Sequence, residues 1–191
     1  MNLLFRLSLL IGVTACCAAS DQAALSITPR LKVEILTANW GDVTVHVTNE
    51  SSTDVVLWED WNSWGFYNFQ FEVISSSSLT PFAIRRKETG WTGNFPSFKK
   101  LEAHAVKEFR ADFANGQWDV PASLLTIGGK WKVSAIYLIR ETGEAKKYGV
   151  PIGIWMSSAV EMPSPDASAV EAFIHPQSVT SKPKKRKTGK K

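Results

Sequence analysis

The chain has 191 residues, 44% of them hydrophobic and 21% charged, ordinary values for a globular protein. Its formal charge of +4 conceals an asymmetry: Lys182, Lys184, Lys185, Arg186, Lys187, Lys190 and Lys191 crowd the last ten positions, and Arg6 lies near the start, so the remainder carries fourteen basic against eighteen acidic residues, a net of −4. That mildly acidic body gives no support to a fold-wide nucleic-acid surface, and the length suits one domain with appendages.

The first predicted element is a leader. Residues Met1 to Ser20 read as a secretory signal. Arg6 supplies the positive charge, Leu7 to Val13 form an apolar run, and the small residues Ala15, Ala18, Ala19 and Ser20 follow. The run is too short to span a bilayer as a helix. Both cysteines, Cys16 and Cys17, fall in this leader, so no disulfide framework is expected in the body. The stretch Val13-Thr14-Ala15-Cys16 (residues 13–16) resembles a bacterial lipoprotein box: aliphatic, small, small, Cys. The resemblance implies acylation of the Cys16 thiol and a membrane-anchored lipoprotein of the bacterial envelope. Each buried methylene of an acyl chain adds roughly 0.8 kcal/mol of anchoring. The alternative is cleavage after Ala19 or Ser20, which gives a periplasmic or secreted product.

The body, residues 25–163, is dominated by period-2 alternation. Leu31, Val33 and Ile35 share one face, as do Val43, Val45 and Val47, and the turn signal Asn39-Trp40-Gly41-Asp42 joins the two runs as a hairpin. After the polar turn Asn49 to Thr53, Val55 to Trp58 is a short third strand. An aromatic loop runs from Glu59 to Asn68. Phe69, Phe71 and Val73 mark a fourth strand, and Ser75 to Ser78 a turn. Phe82 to Lys87 is a fifth strand, followed by a loop from Glu88 to Ser97. In Ala105 to Phe113, the residues Phe109, Ala111 and Phe113 share a face. Pro121 is placed to open one helical turn. Trp131 to Ile139 is the strongest strand, apolar enough on both faces to be central. The polar segment Arg140 to Tyr148 leads to a last strand within Ile152–Met162, where Ile154, Met156, Ser158 and Val160 alternate with Trp155 and Glu161. Beyond, residues 164–191 read as a linker and a disordered basic tail, with a marginal helix at Ala167 to Ile174.

These short strands predict an all-β fold, a two-sheet antiparallel sandwich of about eight strands, with a barrel as the alternative. Val43 to Asn49 as V-x-V-x-V-x-N, Trp131 to Tyr137 containing V-x-A-x-Y, and Gly153 to Ser158 resemble the strands of uncharacterised Ig-like β-sandwich domains exported by bacteria. The last of these departs from the family's W-x-G-x-x-S pattern, since Gly153 precedes Trp155. The resemblance implies a fold and brings no catalytic residue with it.

Catalytic and metal signals are sparse. His46, His104 and His175 are far apart, with no Cys to join them, so no metal site and no cofactor are expected. No G-x-S-x-G elbow occurs. Glu59 and Asp60 are adjacent on extended chain and point to opposite sides. An enzyme is not expected. The sharpest feature is the aromatic crowding of Trp58, Trp61, Trp64, Phe66, Tyr67 and Phe69 within twelve residues. One reading makes these rings a plug of the core, because each buries a large area. The other makes Trp58, Trp61, Trp64 and Tyr67 a stacking surface for a glycan or an envelope partner, with Glu59, Asp60 and Asn62 bonding hydroxyls. The Lys/Arg tail is either inert or a contact for anionic lipid or polymer. The expected function is therefore a non-enzymatic envelope structural or interaction module. A carbohydrate-binding module using residues 58–69 comes second and a hydrolase third.

Overall fold

The computed structural model describes residues 29–78, 80–91 and 95–175. The leader with Cys16, and the basic residues Lys182 to Lys191, lie outside the described residues. The chain is mostly β. In order, the elements are β1 (Leu31–Asn39), β2 (Asp42–Asn49), β3 (Val55–Trp58), α1 (Ser63–Phe66), β4 (Phe69–Ser75), β5 (Phe82–Arg86), β6 (Phe98–Leu101) and β7 (Val106–Ala111). A 3-10 turn (Phe113–Asn115) follows, then β8 (Trp118–Asp119), α2 (Ala122–Leu125), β9 (Lys130–Ile139), α3 (Gly143–Tyr148), β10 (Gly153–Met156), β11 (Val160–Pro163) and α4 (Ala167–Ile174).

All pairings are antiparallel. One sheet has the order β1-β2-β7. A larger one has the order β10-β9-β4-β5-β8, with β11 also on β9, and β3 pairs with β6. The alternation of the sequence sets which side faces in. Val43, Val45 and Val47 of β2, Phe69, Phe71 and Val73 of β4, and Trp131, Val133, Ala135, Tyr137 and Ile139 of β9 all enter one shared core. At about 25 cal/mol per Å² of apolar surface removed from water, this single core is the main stabilising term. β9 is central, as its apolar run predicts: β4 flanks one side, β10 and β11 the other.

Asn49 joins the sheet edges at the end of β2. It is fully buried, and its Nδ2 donates to the carbonyls of Thr53, Leu101 and Glu102 at 2.8, 3.1 and 3.0 Å. The Asn49 backbone N–H donates to Ala105 O at 3.0 Å, so this one residue ties the β2–β3 turn to the β6–β7 connection.

Four features depart from the sequence reading. The described residues hold eleven strands rather than about eight, because β6 and the two-residue β8 add to the predicted set and the last strand is divided. It divides at Ser157, whose hydroxyl accepts from the Ala135 N–H at 2.9 Å and so replaces a ladder bond. The register on β9 sets Ile154 and Met156 opposite Leu138 and Ile136, where they face solvent, and sets Trp155 opposite Tyr137. The polar connection holds α3, capped by the Thr142 hydroxyl accepting from Ala145 N–H at 3.0 Å and ended by Gly149 at φ 67°. Finally, packing continues past residue 163. The predicted helix α4 forms, and its Phe173 ring meets Trp40 edge-on at 5.7 Å.

Candidate functional site

The aromatic segment is organised by Asn62. Its side-chain oxygen accepts from the backbone N–H groups of Trp64 and Gly65, both at 3.0 Å, and its Nδ2 donates to Ser97 O at 2.9 Å. The residue is fully buried and is the cap that starts α1. Gly65 has a matching constraint. A Cβ there would lie 2.1 Å from the Glu59 carbonyl oxygen, so the turn presses its backbone onto the end of β3 where no side chain fits.

The rings divide accordingly. Trp58 is 2% exposed and packs on Trp64, Phe98 and Tyr148 with centroids 6.1, 6.4 and 6.1 Å away. Trp64 is half-buried. Asp60 accepts from Lys107 Nζ at 2.9 Å, and the same ammonium donates to Trp58 O at 3.3 Å. Trp61 is 60% exposed, its indole N–H bound by the Glu59 carboxylate. Tyr67 is partly exposed, and its hydroxyl accepts from Thr89 N–H at 3.0 Å. Trp58 and Asn62 are thus interior and offer no surface to a glycan. Trp61 and Trp64 do not form an exposed pair. Of the proposed stacking surface, Trp61 and Tyr67 are exposed and Glu59, Asp60 and Trp64 half-buried, with Asp60 committed to Lys107 and Trp64 to Trp58.

Beside this segment lies a feature the sequence reading missed. A groove of about 580 Å³ is lined by Tyr67, Gln70, Arg85, Arg86, Lys87 and Arg140, with Glu88 and Asp119 on its wall. Strand pairing assembles it: Gln70 of β4 stands opposite Arg85 of β5, and Arg85 opposite Asp119 of β8. Arg86 is the best fixed of the cations. Its guanidinium carbon lies 4.5 Å from the centre of the Phe66 ring and 5.5 Å from that of Trp118. Burial holds its pKa below the ordinary value, and the Asp60 charge opposes that shift. Asp60 is itself committed to Lys107. Among the described residues none of Arg85, Arg86, Lys87 and Arg140 has an ion-pair partner; Lys99, Lys132 and Lys147 are likewise unpaired, but the groove is where several such cations lie together, whereas Arg30, Lys32, Lys100, Lys107, Arg110, Lys130 and Lys146 are each paired. The visible signal was the run Arg85-Arg86-Lys87 at the end of a strand. Arg140, far along the chain, could be added only by the fold.

A second surface is the outer strand β10. It forms a ladder with β9 alone among the described strands, and its Ile154 and Met156 are 68% and 56% exposed. β1 runs close beside it, and a cavity of about 520 Å³ opens between the two, with Leu31 to Ile35 of β1 as one wall.

The histidines do not converge. His46 lies 3.4 Å from the Glu108 carboxylate, and His104 occupies a turn at φ 63°. No three His, Cys, Asp or Glu side chains are placed to hold a metal among the described residues. No family model, curated protein or solved structure matches the chain.

Proposed function

We propose that the chain is a non-catalytic interaction module of the bacterial cell envelope. In this reading it is an Ig-like two-sheet sandwich, exported by its leader and held at the membrane by an acylated Cys16. The Lys/Arg tail adds an electrostatic contact with anionic lipid or polymer, roughly 1 kcal/mol per cation near the surface. The observation that carries the interaction role is β10, which forms a ladder with β9 alone among the described strands, faces β1 across a cavity on its other edge, and turns Ile154 and Met156 to solvent. Sheet edges of this kind template the addition of another strand unless they are blunted by charge, proline or a covering element. Backbone hydrogen bonds then supply affinity, and alternate side chains supply specificity. The partner is an envelope protein that lays an extended segment along β10. A glycan platform on the aromatic loop has less support, since Trp58 and Asn62 are interior and Trp64 packs on Trp58.

The test is site-specific photo-crosslinking in cells, with the probe placed at Ile154 and at Met156. A discrete adduct with an envelope protein, lost in Ile154→Glu/Met156→Glu, is expected. No adduct from either position would contradict the edge as the docking surface. Cys16→Ser should move the protein from the membrane to the soluble fraction, and unchanged fractionation would contradict the anchor.

A further inference from the structure

The groove beside the aromatic segment has a charge arrangement that the fold alone does not require. Arg85, Arg86 and Arg140 line one cavity with no ion-pair partner among the described residues, and Lys87, whose ammonium lies over the Phe173 ring, stands at its margin. Arg86 makes the point most clearly. A guanidinium taken partly out of water is costly unless it is paired or stacked. Here it lies over the Phe66 and Trp118 rings, where cation–π attraction offsets part of that cost. No carboxylate among the described residues lies within ion-pair distance of the guanidinium, whose planar fork is matched to carboxylate, sulfate and phosphate oxygens.

The two acids of the wall narrow the ligand class. Glu88 and Asp119 would repel a bare polyanion such as a nucleic-acid backbone or a dense anionic polymer. They suit a ligand that carries hydroxyl groups as well as a negative charge, because an ionised carboxylate accepts hydrogen bonds from hydroxyls. Gln70 supplies an amide with both donor and acceptor capacity, and Tyr67 a partly exposed ring for an apolar C–H face. The volume lies within the roughly 300–1,000 Å³ of small-molecule sites, so it has room for more than an inorganic ion.

We infer that the groove between Tyr67, Gln70, Arg85, Arg86 and Arg140 binds an acidic sugar, its anionic group on the arginines and its hydroxyls on Gln70, Glu88 and Asp119. This site stands on a different surface from the β10 edge, so either can fail without the other.

The test is binding of the full mature chain to a panel of uronate, sulfated and phosphorylated sugars, each beside its neutral parent, with inorganic phosphate and sulfate as controls. The acidic members should bind at least tenfold more tightly than their parents and than the inorganic ions. Arg85→Gln/Arg140→Gln alters two exposed side chains and leaves the stacked Arg86 in place, so its melting temperature should match that of the unaltered protein. It should weaken acidic-sugar binding by roughly tenfold or more, the range expected on losing hydrogen bonds to a charged group. No acid-over-neutral preference anywhere in the panel would overturn the assignment. So would binding undiminished in the double variant, or inorganic phosphate binding as tightly as any acidic sugar.

Discussion

Two aromatic regions of this molecule use the same kinds of residue to different ends. Around Trp40 the partners are all rings: Phe113, Trp131 and Phe173 meet it edge-on at 6.0, 5.9 and 5.7 Å, and α4 covers the group. Around Arg86 the rings of Phe66 and Trp118 meet a cation that lines a polar groove. Trp118 belongs to both, since it also packs on Phe71 and Phe113 at 5.3 and 5.7 Å. A high tryptophan content therefore does not by itself mark a binding surface. What separates the regions is the group the rings meet: more apolar surface in one, a cation with no ion-pair partner among the described residues in the other.

The largest expected effect breaks the first region. Trp131 is fully buried, and Trp131→Ala should lower unfolding stability by about 3–5 kcal/mol in urea denaturation. A loss below about 1 kcal/mol would mean that the Trp40 group is not a core.

A middle-sized effect sharpens the second region through its support. Asn62→Ala removes the cap of α1 and the bond to Ser97, and should cost about 1–3 kcal/mol. Because α1 ends at Phe66, the same change should loosen the ring that covers Arg86 and weaken any ligand held in the groove. Unchanged stability would show that the loop is positioned without its cap.

The smallest effect separates the regions most cleanly. Arg86→Met keeps an unbranched side chain against the two rings but removes the desolvated charge. Its stability should stay within about 1 kcal/mol of the original or rise, as when buried ionic groups are replaced by apolar residues of similar volume. A loss of about 3 kcal/mol or more would show that Arg86 has a structural counterion.

The strand framework was largely legible because half-buried strands alternate strictly. Val43-Val45-Val47 and Trp131 to Ile139 carried the pattern strongly enough to place the hairpin and the central strand. The pattern failed where other forces set the backbone. β6 reads Phe-Lys-Lys-Leu, and only Leu101 of the four is buried, so it has no alternation to detect. At Ser157 a side-chain hydroxyl replaced a ladder bond and split the last strand, and the faces of Ile154 and Met156 followed the register on β9, opposite Leu138 and Ile136, rather than the hydrophobic pattern. Asn62 looked like a ligand-binding amide because residue type does not reveal whether an amide faces solvent or caps a turn. The groove was illegible for a different reason: its cations come from β5 and from the end of β9, which only the pairing of β4 with both brings together.

The tryptophan-rich loop is anchored in the core through Trp58 while Trp61 stands outside it, and chemical denaturation of two single variants measures that difference. Trp58→Ala should cost about 3–5 kcal/mol, and Trp61→Ala, three residues away and exposed, should stay within about 0.5 kcal/mol of the original. Equal losses, or a larger loss at Trp61, would contradict the account.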